Sequence, residues 1–168
     1  MENCVIGITI KNNEKYLPKV FDHLISLKTC FNKYSVQFIY DNNSPNTDSS
    51  LDLINKFKLN NNNIDINLIH NDNEYDYKNI PFERRVVHIT NARNTLMRII
   101  SEKYASYKYF IMMDANYSCT EKIESINTDI INSYLIRHNE WDSLSFNRKV
   151  YYDIWALSLK PYITSYWH

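Results

Sequence analysis

Two carboxylates at the ends of apolar runs, an asparagine just beyond one of them, a third carboxylate in an aromatic segment and one arginine carry the chemistry this sequence can do. Asp41 follows the apolar run 36–40, and Asp114 follows the strongly apolar run 110–113. A carboxylate at such a strand end can accept hydrogen bonds from a ribose or a nucleobase edge, or it can cap a local turn and bind nothing. In a parallel sheet all such ends open on one side, so Asp41 and Asp114 can line one cleft. Only Ala115 separates Asp114 from Asn116. If the loop turns back, the oxygens of both can approach one Mg²⁺ or Mn²⁺ ion, which would bridge phosphate oxygens and neutralise a departing diphosphate. Asparagine offers a neutral carbonyl where a second carboxylate would hold a cation harder, so Asp114 alone and a role without metal both stay open.

Arg93 follows Thr90 and reads as lying near a helix start. There, unpaired backbone N–H groups favour an anion, and a guanidinium adds two directed bonds to phosphate. A plain surface or structural ion pair is the alternative. Arg84 and Arg85 can assist, or one of them can pair with Glu83. Asp153 sits among Tyr151, Tyr152, Ile154 and Trp155. In that aromatic setting a carboxylate can orient an acceptor hydroxyl or take its proton as a general base, or it can be an edge-strand residue capped by tyrosine hydroxyls. His88, His138 and His168 have no ligand-like spacing.

Composition removes other chemistries. The chain has 168 residues, enough for one sizeable core, and is read as a single domain over 1–168. One glycine, Gly7, excludes the P-loop and the dinucleotide fingerprint, both of which need several. Nineteen basic residues balance nineteen acidic ones, which argues against a broad nucleic-acid-binding surface. Cys4, Cys30 and Cys119 form neither a zinc pair nor a complete disulfide set, as expected in a reducing compartment. With no 18-residue apolar stretch and no basic leader before the opening apolar run, the expectation is a soluble cytoplasmic protein without a membrane segment.

The elements that must position these residues follow from periodicity. Residues 5–10 read as a strand covered on both faces, and 14–30 as a helix with Leu17, Val20, Phe21, Leu24 and Leu27 at helical spacing and Pro18 in its first turn. A second strand over 36–40 ends in the turn-forming residues 41–46; a helix capped by Asp48 or Ser49 carries Leu51, Ile54 and Phe57; and 64–69 alternates as a third strand. Residues 71–85 lack a sustained period and read as a long loop, with a helix resuming around Asn91 and a buried-type strand over 107–113. A helical region begins at Thr120 or Asp129. Residues 141–146 read as a further strand and 151–159 as a strand or inward-facing edge. This order predicts an α/β fold with a mainly parallel central sheet and helices on both faces.

The segments 6–12, 40–44, 92–94 and 113–116, in that order and at those junctions, resemble the nucleotide-sugar glycosyltransferases of the GT-A fold across nearly the whole chain. With 92–94 preceding the strand that ends at Asp114 and 151–156 following it, the sequence is most similar to the Cryptococcal mannosyltransferase-type and giant-virus glycosyltransferase group. The resemblance implies transfer of a hexosyl group from a nucleoside diphosphate sugar to a glycan or other hydroxyl acceptor. It implies a donor site of Thr9, Asp41, Arg93 and Asp114, with Asp41 at the nucleoside and Asp114 and Asn116 at a diphosphate-bound Mn²⁺ or Mg²⁺, and Asp153 as the catalytic carboxylate. Two departures stand out. Asn116 occupies the place of the family's second carboxylate, and the fold would be abbreviated at its C-terminus, so that a partner or a second copy would complete the acceptor side. A nucleotide-sugar-binding relative without turnover, and an interaction module on the same fold, are the alternatives.

Overall fold

The computed structural model describes residues 1–41, 47–71, 82–116, 126–143, 158–159 and 164–165, with the backbone alone at 41, 82–86, 158–159 and 164–165. In chain order the elements are β1 (Cys4–Ile10), α1 (Leu17–Lys28), β2 (Tyr34–Asp41), α2 (Ser50–Asn60), β3 (Asp65–Asn71), α3 (Phe82–Lys103), β4 (Tyr109–Asp114), α4 (Thr128–Ile136), a 3-10 turn (His138–Glu140), β5 (Ser158–Leu159) and β6 (Thr164–Ser165). The chain divides into two compact units, Met1–Asn132 and Ser133–His168. In the first, β3-β2-β1-β4 form one sheet in that order, and every pairing is parallel. In the second, β5 and β6 pair antiparallel, and Trp141 donates its indole N–H to the Tyr134 carbonyl at 2.9 Å.

The α/β class with a parallel sheet therefore stands. Alternation along β2 sends successive side chains to opposite faces. Phe38 goes to the α1 side, where Phe21 meets it edge-on at 6.4 Å and stacks on Phe57 of α2 at 4.1 Å. Gln37 goes to the α3 side. Helix α1 forms where the stripe of Leu17, Val20, Leu24 and Leu27 is buried against the sheet, each such side chain contributing about 1.5–3 kcal/mol. It is shorter than the predicted 14–30, because Glu14 is drawn into contacts with the start of α2.

Four expectations are corrected. Asn71 and residues 82–85, expected in a long loop over 71–85, are instead the end of β3 and the start of α3. Val86, Val87, Ile89 and Thr90 are β-branched and poor helix formers, so local propensity hid these helical turns. As a result Arg93 stands in the middle of a 22-residue helix, and the helix-start argument for anion binding does not apply to it. β4 is only half-buried rather than buried, with Phe110 37% exposed, as suits a strand at the edge of the described sheet. Residues 141–143 form no strand; 144–146, 72–81 and Asp153 lie outside the described residues. No helix among the described residues is long and apolar enough to cross a membrane.

Candidate functional site

The strand order sets where a ligand can sit. From β1 the chain moves outward to β2 and β3, then crosses back through α3 to lay β4 on the other side of β1. The first two crossovers cover one face and the return crossover the other, and in open parallel sheets with such a reversal of strand order ligands take the crevice at the carboxyl ends of the two strands that flank it, here β1 and β4. Thr9 of β1 pairs in register with Asp114 of β4. Thr9 alternates with Gly7, over which α3 packs, so Thr9 belongs to the α3 face.

Arg93 reaches this edge from α3. Its Nη2 donates to Asp114 Oδ1 at 2.9 Å, with the two side chains 42% and 34% exposed. Of the five N–H donors of a guanidinium, this contact uses one. Arg93 Nε is enclosed and has no hydrogen-bond partner among the described residues. The pair thus holds a cation at the crevice with donors in reserve. On the neighbouring turn of α3, Thr95 Oγ1 donates to Asn71 Oδ1 at 3.3 Å, tying the same stretch of helix to the carboxyl end of β3.

Asp41 closes β2 on the same edge of the sheet, paired with Asn71. Register puts it two strands from Asp114 and two residues further along, about 10 Å across the sheet and about 7 Å along it. Its side chain lies outside the described part.

The loop after β1 is locked by side chains that periodicity alone does not single out. Asn12 adopts a left-handed backbone, φ 51°, which asparagine tolerates better than most residues. Its Oδ1 accepts the Thr47 N–H at 2.8 Å. That bend lets Asn13 do three things: its N–H donates to Ser50 Oγ at 2.8 Å, its Oδ1 accepts the Lys11 N–H, and its Nδ2 donates to the Ala115 carbonyl. Asn13 therefore ties the end of β1 to the residue after Asp114. Beside it, Asp48 accepts the N–H groups of Glu14 and Ser50, and Glu14 accepts that of Ser49. Slight burial pushes the Asp48 carboxyl up, but the hydrogen bonds from Ser50 and from the Glu14 N–H outweigh it and hold the group below the usual range. The sequence marks 11–13 as polar residues at a strand end. It carries no signal that Asn13 is the tether, because the carbonyl it meets is 102 residues away.

Any cation here would meet hard oxygen donors, the kind that suit Mg²⁺ or Mn²⁺. Arg93 takes Asp114 Oδ1, leaving Asp114 Oδ2 as the oxygen that side chain could offer such an ion. Among the described residues no three His, Cys, Asp or Glu side chains converge. Structure thus brings Thr9, Arg93 and Asp114 together and puts the backbone of Asp41 on the same edge, while Asp153 is outside what is described. Compared with known proteins, the chain matches no family model, no curated protein and no solved structure.

Proposed function

We propose that this chain is a glycosyltransferase of the GT-A type, moving a hexosyl group from a nucleoside diphosphate sugar to a glycan or other hydroxyl acceptor. The observation that carries the reading is the Arg93–Asp114 pair at the switch-point crevice between β1 and β4. Parallel α/β sheets hold nucleotides at this place, and the single glycine removes the glycine-rich ways of doing so. Asp41 takes the nucleoside end, a distance an extended nucleoside diphosphate spans. Arg93 takes the diphosphate.

In the reaction, the acceptor oxygen bonds to the anomeric carbon as the bond from that carbon to the diphosphate oxygen breaks. Negative charge grows on the leaving group, and a guanidinium already fixed at that spot stabilises it without reorganising. A divalent cation on Asp114 and Asn116 would neutralise further diphosphate charge. Asp153 is assigned to the acceptor, as its orienter or its base. The neutral Asn116 favours one second reading, a binding domain that keeps the donor site without turnover.

A screen of UDP-, GDP- and CMP-sugars for thermal stabilisation, with and without Mn²⁺, tests the proposal, followed by donor hydrolysis on any hit. Stabilisation with sugar release supports the enzyme. Stabilisation with an intact donor supports the binding domain, and no stabilisation by any donor removes both.

A further inference from the structure

We infer that the hydrogen-bonded cluster of Tyr104, Ser35, Gln37, Asp65 and Asn67, at the far end of the sheet, is the positioning device for the Arg93–Asp114 pair. Its hydrogen bonds form a closed set. The Gln37 amide donates to Ser35 Oγ at 2.7 Å and to the Tyr104 hydroxyl at 2.8 Å. Both hydroxyls donate onward to Asp65 Oδ2, at 2.6 Å and 3.1 Å. Asn67 Nδ2 donates to Asp65 Oδ1 at 3.0 Å. Ser35 and Gln37 are fully buried in a central strand. Two buried polar side chains in a central strand are a costly way to build a core and a good way to specify one register.

Helix geometry connects this cluster to the crevice. Tyr104 comes 11 residues after Arg93 and is hydrogen-bonded to the last turn of α3 through its N–H and the Ile100 carbonyl. Eleven residues is about three turns, so the two side chains leave the same face of the helix, about 16 Å apart. Between them lie Leu96 and Ile100, packed over Gly7, where a Cβ would meet Leu96 and Phe110 at 3.4 Å. Those contacts are apolar and non-directional, and Gly7 itself offers the helix no side chain to interlock with. Directional bonds must therefore set how far α3 is slid and turned on the sheet. Tyr104 also starts the turn into β4, since its carbonyl accepts the Tyr107 N–H at 2.8 Å and its ring meets the Tyr107 ring edge-on at 5.0 Å. Together with the Thr95–Asn71 bond, Tyr104 thus anchors both elements that carry the ion pair, Arg93 upstream and Asp114 downstream.

The test uses Tyr104→Phe and Gln37→Leu in the full chain, with Ile54→Val on the opposite face of the sheet as a control for lost stability. The first readout is the Arg93 Nε–H resonance and its rate of exchange with solvent, in the absence of ligand. The expected result is a shifted resonance and faster exchange in both cluster variants and not in the control. The second readout is UDP affinity at a temperature where each variant is fully folded, with an expected loss of roughly 10- to 100-fold, the scale of a misplacement by about an ångström. That second arm rests on the proposed donor site. If the parent chain does not bind UDP, the donor reading fails and the resonance still decides the positioning role. Should one cluster variant fail to fold, the other gives the same readout. Variants that melt lower yet keep the parent Nε–H resonance and exchange rate would overturn the inference and leave the cluster a matter of stability alone.

Discussion

Replacing Arg93 by methionine separates a structural ion pair from a site residue, because the two roles predict opposite sizes of effect. The pair is short, 2.9 Å, but both members keep a third or more of their surface in water. Solvent screening limits such a pair to about 0.2–1 kcal/mol of folding stability. Methionine preserves much of the stem's packing on α3, so the urea midpoint should shift only within that range. Diphosphate binding draws on the donors that Asp114 leaves unused, and a hydrogen bond to a charged group contributes about 1.5–3 kcal/mol, or roughly 10- to 100-fold in Kd. Titration calorimetry with UDP and GDP beside urea denaturation measures both. Asp114→Asn adds a sign test. Without divalent cation it should leave nucleotide affinity unchanged or raise it, since a carboxylate that repels phosphate is gone, and with Mn²⁺ it should lose any metal-dependent gain. The reasoning is refuted if Arg93→Met costs several kcal/mol of stability or leaves Kd untouched.

Other outcomes follow from the same contacts. Gly7→Ala should stabilise by about 0.5 kcal/mol in urea, because the added Cβ finds ordinary contact at 3.4 Å and the unfolded chain loses freedom, whereas Gly7→Ile should destabilise by about 1–3 kcal/mol through overpacking against Leu96 and Phe110. Asn13→Asp should cost about 1–3 kcal/mol of stability, measured the same way, as it replaces the donor that meets the Ala115 carbonyl by a second acceptor. Burial, reinforced by the nearby Cys30 thiol, pushes the Cys4 thiol from 9.0 up to about 12. The folded state therefore holds this proton longer than the unfolded chain. The stability it contributes is whole below about pH 9 and is lost between there and about pH 12, at about 1.4 kcal/mol per pH unit. Burial likewise raises the Tyr34 phenol, followed by the effects of Cys4 and Cys30, adding to the loss above pH 10.0. Urea midpoints measured across this range should fall steeply, and Cys4→Ala should flatten the first part of the fall.

Local signals in the sequence were enough for the four strands of the parallel sheet, the first two helices and the parallel class. Those signals are short-range: β-branched apolar runs for β1 and β2, threes and fours for α1, and turn residues after Asp41. The same signals marked Asp114 and Arg93 as strand-end and helix residues with chemical capacity. Where β-branched residues filled a helix, as at the start of α3, propensity pointed the wrong way and tertiary packing overrode it. The face of α3 that meets the sheet, with Arg93 at one end, Tyr104 at the other and Leu96 and Ile100 between, has the right period in the sequence. Nothing in that period says which strands its polar ends will meet.

Only the tertiary structure decided that β4 lies beside β1, that Arg93 meets Asp114, and that Asn13 reaches Ala115. Side-chain periodicity reports the environment of each element along its own axis. Strand order, and with it every contact between distant parts of the chain, depends on how whole faces bury against one another, and no local window of residues carries that information.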